Sequence, residues 1–312
     1  MHGADTSALE ALRRGGKAAM AKALAALERE PDSATSLALL NAAYAAPRAR
    51  VIGVTGPPGV GKSTLLGALI GLLRRRSETV AVIAVDPSSK RSGGALLGDR
   101  LRLISDPEDE GLFVRSMAAR DRLGGLAAET MAAMVLMRAL YDVVLIETVG
   151  VGQSETDVAG AADTVVFCVQ PGSGDSLQFM KAGIVEIPQV AVVTKADQGA
   201  AAVRALADLR GALSLGAASD GWEVAVFAVS AQTRQGLDDL VAALDRHAAY
   251  LAAEGRLAAA RHAQAEHWLR EAVRSRFGTQ GVKRAGDLTL DEGESPFARV
   301  AAVSAELTGK DG

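Results

Sequence analysis

The chain of 312 residues has room for about two domains and for a core that needs neither a disulfide nor a metal staple. Its 34 Lys and Arg against 37 Asp and Glu leave a net charge of −3, so no strong field draws it to nucleic acid or to anionic lipid. Six Phe, three Tyr and two Trp give little platform for stacking single-stranded bases, and a single cysteine excludes an internal disulfide or a cysteine-based zinc site.

The first elements in the chain are helical. Leu9, Leu12, Met20, Leu24 and Leu27 recur at helical spacing within Ser7–Arg29, and Pro31 ends that helix. Asp32 or Ser33 then caps a second helix that runs to Tyr44 and stops before Pro47. From Arg50 the pattern changes to short apolar runs alternating with helices. The predicted strands are Val51–Thr55, Thr79–Val85, Leu112–Arg115, Asp142–Glu147, Thr164–Val169, Val190–Thr194 and Val224–Val229. The predicted helices between them are 62–76, 122–140, 174–183, 199–214 and 236–252. This alternation predicts an α/β domain with a mainly parallel sheet, and the near-continuous Val/Ile/Leu/Ala of the strands predicts helices on both faces. Cys168, inside one such run, reads as a small core residue. A further helix is predicted over 253–277, with Leu257, His262, Trp268, Leu269 and Val273 inward, then a polar Gly-rich stretch at 278–295 and a last helix near 296–308. The expected organisation is a helical extension at 1–49, an α/β domain at 50–252 and a second helical extension at 253–312.

Between the first of these strands and its helix stands Gly56-Pro57-Pro58-Gly59-Val60-Gly61-Lys62-Ser63, a full G-x-x-x-x-G-K-[ST] phosphate loop in the strand–loop–helix context that the motif needs. Glycines let the backbone turn its N–H groups to a phosphate, and the helix N-terminus adds partial positive charge. Gly56, Gly59, Val60, Gly61, Lys62, Ser63 and Thr64 are the expected phosphate-binding set. Lys62 is expected at the β- and γ-phosphates and Ser63 on Mg²⁺. The fold expected is therefore a three-layer P-loop NTPase.

The base is indicated further on. Thr194-Lys195-Ala196-Asp197 resembles the N-K-x-D guanine motif of G proteins, with Thr in place of Asn. Asp197 would accept from the N–H donors of guanine, which adenine does not offer as a pair. Lys195 would lie along the base. Ser230-Ala231 resembles the S-A motif that meets guanine O6. The Thr in place of Asn is expected to weaken the tie between this loop and the phosphate loop.

Asp86-Pro87-Ser88-Ser89, Gly93-Gly94-Ala95-Leu96-Leu97-Gly98-Asp99, Glu147-Thr148-Val149-Gly150-Val151-Gly152-Gln153-Ser154-Glu155 and Lys181-Ala182-Gly183-Ile184-Val185-Glu186 complete a specific set. Together they resemble the MeaB/ArgK family of P-loop GTPases, bacterial relatives of the methylmalonic aciduria type A protein. The resemblance covers roughly 50–250. It implies a Mg²⁺-dependent GTPase that binds GTP and GDP and couples hydrolysis to adenosylcobalamin loading and protection of an acyl-CoA mutase, itself binding no cobalamin. It further implies that Glu147 stands where most G proteins place the Asp of D-x-x-G, with Asp86 and Asp99 as further Mg²⁺-site carboxylates. Gly150 would donate to the γ-phosphate, and Lys181 would be the charged contact of an additional switch at 171–186. The C-terminal extension would be a dimerisation arm.

Two features bear on rate and partner. The position that often carries a water-orienting Gln holds Val151, with Gln153 displaced by two residues, so slow intrinsic hydrolysis is expected, stimulated by a partner. Ile187-Pro188-Gln189 departs from the family pattern and suggests a different mutase partner. Two other classes remain open: a metallochaperone-type GTPase, which needs a Cys/His cluster near the switches, and a transport-associated ATPase or kinase, which predicts ATP preference and no guanine motif. His262 and His267 are five apart, off the zinc-helix spacing, and Arg74-Arg75-Arg76 at a helix end answers the helix dipole. No apolar run reaches the ~18 residues of a membrane span or reads as a signal peptide, so no membrane, no nucleic acid and a cytoplasmic location are expected.

Overall fold

The computed structural model describes residues 3–87, 106, 108–119, 128–148, 157–172, 187–214 and 221–309. The strands are β1 (Arg50–Thr55), β2 (Val80–Pro87), β3 (Leu112–Ala119), β4 (Val143–Glu147), β5 (Thr164–Val169), β6 (Val190–Val193) and β7 (Ala225–Ala228). The helices are α1 (Gly3–Arg29), α2 (Ala34–Ala45), α3 (Lys62–Arg75), α4 (Ala128–Leu140), α5 (Ala200–Leu213), α6 (Leu237–Ala252), α7 (Arg256–Ala285) and α8 (Pro296–Gly309).

All seven strands join one sheet in the order β3-β2-β4-β1-β5-β6-β7, and every pairing is parallel. β1 is central. The chain leaves it toward β2 on one side and later builds β5, β6 and β7 on the other, so the crevice beyond the carboxyl end of β1 lies at the topological switch point where α/β sheets bind ligands.

The two faces of the sheet are covered by different helices, as the apolar strands require. Ile52, Val54, Val82, Leu145 and Val166 pack under α3 and α6. Val51, Ile83, Val144 and Ile146 pack on the other face with α1, α2 and α4, and Phe167, Val169, Ala191 and Val193 pack with α5. Leu9, Met20, Leu24 and Leu27 of α1 are at most 4% exposed, so the first two helices share the main core. α1 kinks at Gly16, whose φ of 58° no regular helix adopts. Ser33 is the cap of α2, its hydroxyl oxygen accepting from the Ser36 N–H at 3.2 Å.

The C-terminal helices have a smaller core of their own, with Leu269 and Val273 of α7 against Leu288, Val300, Val303 and Leu307. Trp268 and Phe297, ring centroids 4.8 Å apart, connect it to the main core. Arg261 grips Asp163 at 2.7 Å and the Ala49 carbonyl at 2.8 Å, and Gln264 donates to the Ala159 and Ala162 carbonyls. Helix 253–277 was expected to end before a polar stretch. The structure instead carries α7 to Ala285 with a kink at Gly278, φ 69°, and buries Gly281 beyond it. His262, expected inward, is 39% exposed and lies beside Glu266, while Ala265 takes the buried position. The strand predicted at 112–115 extends to Ala119 along the full length of β2.

Candidate functional site: a phosphate loop joined to a base-reading loop

The phosphate loop leaves β1 at Gly56, whose φ is 138° and whose absent Cβ would lie 2.2 Å from the Cys168 carbonyl oxygen. Only glycine fits between β1 and the end of β5, so the loop can turn at once above the sheet. Burial pushes the Cys168 thiol up to about 12, which leaves it a neutral core group beneath this turn. Gly59 and Gly61 also take positive φ, 76° and 101°. No side chain caps α3 among the described residues, so the dipole and N–H groups of its first turn face the loop.

Lys62, 6% exposed, lies within this cradle, and its ammonium donates to the Gly56 and Pro57 carbonyls at 2.6 and 3.0 Å. Next to it the Ser63 hydroxyl donates to Glu147 Oε1 at 2.6 Å, joining the start of α3 to the end of β4. Glu147 is 1% exposed. A buried carboxylate and a hydroxyl meeting at one point, beside an anion-binding loop, form the start of a hard-oxygen site that fits Mg²⁺ once phosphate oxygens and waters complete it. Thr148 extends the link, its hydroxyl donating to Thr55 at 2.9 Å.

The residues expected to read the base converge on the same loop. Lys195 takes the left-handed conformation, φ 55°, and its ammonium reaches the Gly59 carbonyl at 3.3 Å and the Gln170 carboxamide oxygen at 2.5 Å. The Ala196 N–H donates to the Val229 carbonyl at 3.0 Å, tying this loop to the one after β7. Asp197 sits on the exposed turn Ala196–Gln198. Ser230 is buried; its N–H donates to the Gln235 carbonyl and its hydroxyl oxygen accepts from the Thr233 N–H, which shapes the loop that carries Ala231. A cleft of about 460 Å³ lies apart from the phosphate loop and Lys195, along α3 from Thr64 through Ala68 and Leu72 to Arg75 and against Ala231, Leu237 and Asp238.

Thr194 keeps a tie between the two loops. Its buried hydroxyl donates to the Val60 carbonyl at 2.6 Å and also lies 3.0 Å from the Val169 carbonyl, so a shorter side chain still ties the base loop to the phosphate loop. The departure at 187–189 is also used inside the fold. The Gln189 carboxamide accepts from the Val165 N–H and donates to the Ile187 carbonyl, and its backbone carbonyl accepts from Trp222. These residues register β6 against β5. Arg74 and Arg75 stand in the last turn of α3, as a dipole role requires, and Arg74 also pairs with Asp109 while Arg76 pairs with Glu78 and Asp245.

Asp86 lies at the end of β2 in register with Ala118. Asp99, Gly150, Val151, Gln153, Lys181 and the helix expected at 174–183 lie outside the described residues. Gln170 was missed from the sequence because it follows a strand end with no motif of its own.

These loops, on this sheet, have close counterparts. The family profile described as "Methylmalonyl Co-A mutase-associated GTPase MeaB" matches residues 20–285. The chain belongs to this family of P-loop GTPases. It is a GTPase, as its relatives are named. It is 40% identical to GTPase ArgK of Escherichia coli over 268 residues, covering 83% of this chain and 81% of that one. It is 38% identical to the mitochondrial methylmalonic aciduria type A homolog of Mus musculus over 222 residues, 70% of this chain and 54% of that one. Among solved structures, a LAO/AO transport system kinase matches with a TM-score of 0.64 and 29% identity over 97% of both chains. HypB from Helicobacter pylori, solved in complex with nickel, shares the fold with a TM-score of 0.50 at 18% identity over 69% of this chain and 94% of that one.

Proposed function

We propose that this GTPase is the G-protein chaperone of an adenosylcobalamin-dependent acyl-CoA mutase, methylmalonyl-CoA mutase or a related enzyme. GTP binding and hydrolysis would be coupled to loading of the cofactor and protection of the mutase. The family description and the likeness to the methylmalonic aciduria type A homolog support the class of partner. The observation that carries the coupling is the bond from Ser63 to Glu147. It joins the phosphate loop to the end of β4, directly before residues 149–156, so a change at the γ-phosphate reaches the chain that follows.

In this reading the backbone of Gly56–Ser63 holds the phosphates and Lys62 binds the β- and γ-phosphoryl oxygens. Ser63 and Glu147, with Asp86 and Asp99, would hold Mg²⁺ or its waters. Bound Mg²⁺ supplies neutralisation of charge across the transferred phosphoryl group. Lys195, Asp197 and Ala231 select guanine, and Gly150 and Lys181 respond to the γ-phosphate. Val151 cannot orient the attacking water, so intrinsic turnover is slow until the mutase reorders the loops around Gln153.

We further propose a G domain at 50–252 with helical extensions at 1–49 and 253–312, the second serving as a homodimer arm, in a cytoplasmic protein that binds neither membrane nor nucleic acid. No helix among the described residues is long and apolar enough to cross a membrane. A metallochaperone role would need a Cys/His cluster near the switches, and the sequence places neither residue type at 86–105, 149–156 or 171–186.

The test is GTP turnover of the full chain with and without an apo acyl-CoA mutase of this cofactor class. The expected result is slow basal release of phosphate and a stimulation of at least about tenfold by the cognate mutase. Absence of stimulation by every such mutase removes the chaperone role and leaves the GTPase.

A further inference from the structure

We propose that Gln170 is a positioning residue for recognition of the guanine base, acting through Lys195. The proposal rests on the reading that the stem of Lys195 lies along that base.

Gln170 directly follows β5, and Val169 is in register with Val193 of β6, so Gln170 stands beside the start of the Thr194–Asp197 loop. An ammonium has three donors and no acceptor, so the carboxamide must turn its oxygen toward Lys195. The 2.5 Å contact is the shorter of the two that this ammonium makes with Gln170 and the Gly59 carbonyl. The backbone of Lys195 is in the left-handed region, φ 55°, which side chains of this kind seldom adopt unless their surroundings hold them.

The tie matters because of what else holds this loop. Thr194 has one hydroxyl proton for two carbonyls, Val60 and Val169, so it makes one strong bond to the phosphate loop. The second bond between the two loops is Lys195 to Gly59, at 3.3 Å, and Gln170 sets where that ammonium sits. Lysine is a point charge on a flexible four-carbon stem. Without Gln170 the stem can leave for solvent, and ordering it again opposes base binding. Because the effect is at the base end, it falls equally on GDP and GTP.

The test uses the full chain and a ribose-labelled fluorescent GDP, with a non-hydrolysable GTP analogue in competition. Gln170→Leu keeps the volume and removes the acceptor; Gln170→Glu keeps an acceptor. Gln170→Leu is expected to weaken both nucleotides by roughly tenfold, in line with loss of a hydrogen bond to a charged group. Gln170→Glu is expected to bind within about twofold of the parent, and Gln170→Leu to add nothing in a Lys195→Ala background, since contacting residues couple. Binding by Gln170→Leu within about twofold of the parent, an equal loss in the Leu and Glu variants, or an undiminished loss in the Lys195→Ala background each overturns the proposal. If Lys195→Ala alone binds as the parent does, the base reading of Lys195 fails and the proposal fails with it.

Discussion

The two ends of the sheet are built on opposite principles. At the amino ends of the strands, charges meet charges. Arg50 pairs with Glu78 and Asp245, Arg74 with Asp109, Arg48 with Asp142, and the nearly buried Arg261 and Asp163 with each other. The guanidinium of Arg74 holds the Asp109 carboxyl below the usual range, and hydrogen bonds from Thr79 and Arg48 outweigh burial to do the same for Asp142. At the carboxyl ends, Lys62 and Lys195 rest on backbone carbonyls and an amide, and Glu147 receives a hydroxyl. One end ties the sheet together through ion pairs within the chain. The other gathers Lys62, Ser63 and Glu147 beside the phosphate loop, where a phosphate or a cation would meet them.

Substitutions at the two ends should therefore separate activity from stability. The largest expected effect is at the phosphate end. Lys62→Ala is expected to reduce GTP turnover by about 1000-fold, as loss of a preorganised charge at a developing oxyanion does, measured by phosphate release at saturating Mg²⁺. At the other end, Asp163→Ala leaves the Val51 N–H without its acceptor and the nearly buried Arg261 guanidinium without its counter-charge. About 3 kcal/mol of stability should be lost in urea unfolding. A loss under about 1 kcal/mol would show that this end is not the clamp described.

Asp197→Asn tests the base. The amide can donate where the carboxylate accepted, so affinity should fall by about 100-fold for GTP and rise for xanthosine triphosphate, which carries a carbonyl in place of the 2-amino group. Unchanged GTP affinity in competition binding would break the base assignment.

His247 gives a smaller effect with a defined pH window. It is 2% exposed, shares a hydrogen bond of 2.8 Å with Thr164, and lies edge-on to Trp222 and stacked with Tyr250. Burial lowers it to about 4, so between pH 6.5 and 4 the unfolded chain takes up a proton that the folded chain refuses. Stability should fall as pH drops through that window, by about 2 kcal/mol between pH 6.5 and 5, and His247→Gln should flatten the slope. The smallest effect belongs to Arg48→Ala. Its side chain is 50% exposed, so loss of the pair to Asp142 should cost less than about 1 kcal/mol and leave GTP turnover alone.

Much of this contrast was legible in the residues. Gly56–Ser63 declares a phosphate loop because each residue type has one use there. The seven strands were legible because strands covered on both faces must be apolar along their whole length. The helix past Gly278 was not, because a glycine and a polar composition look like a loop until Leu307 of α8 is seen to pack there. The partner of Thr194 was not legible for a related reason: a residue type tells how many protons it can donate, not how near its acceptor lies.

The sequence by itself determined the parallel α/β fold, the phosphate loop, the guanine motif and the family, since each of these is written in local spacing and residue chemistry. Only the tertiary structure decided which distant groups meet. Ser63 with Glu147, Gln170 with Lys195, and Arg261 with Asp163 are separated by 84, 25 and 98 residues along the chain. No local pattern joins them, because their contact is made by the order of strands in the sheet and by helices packing across it.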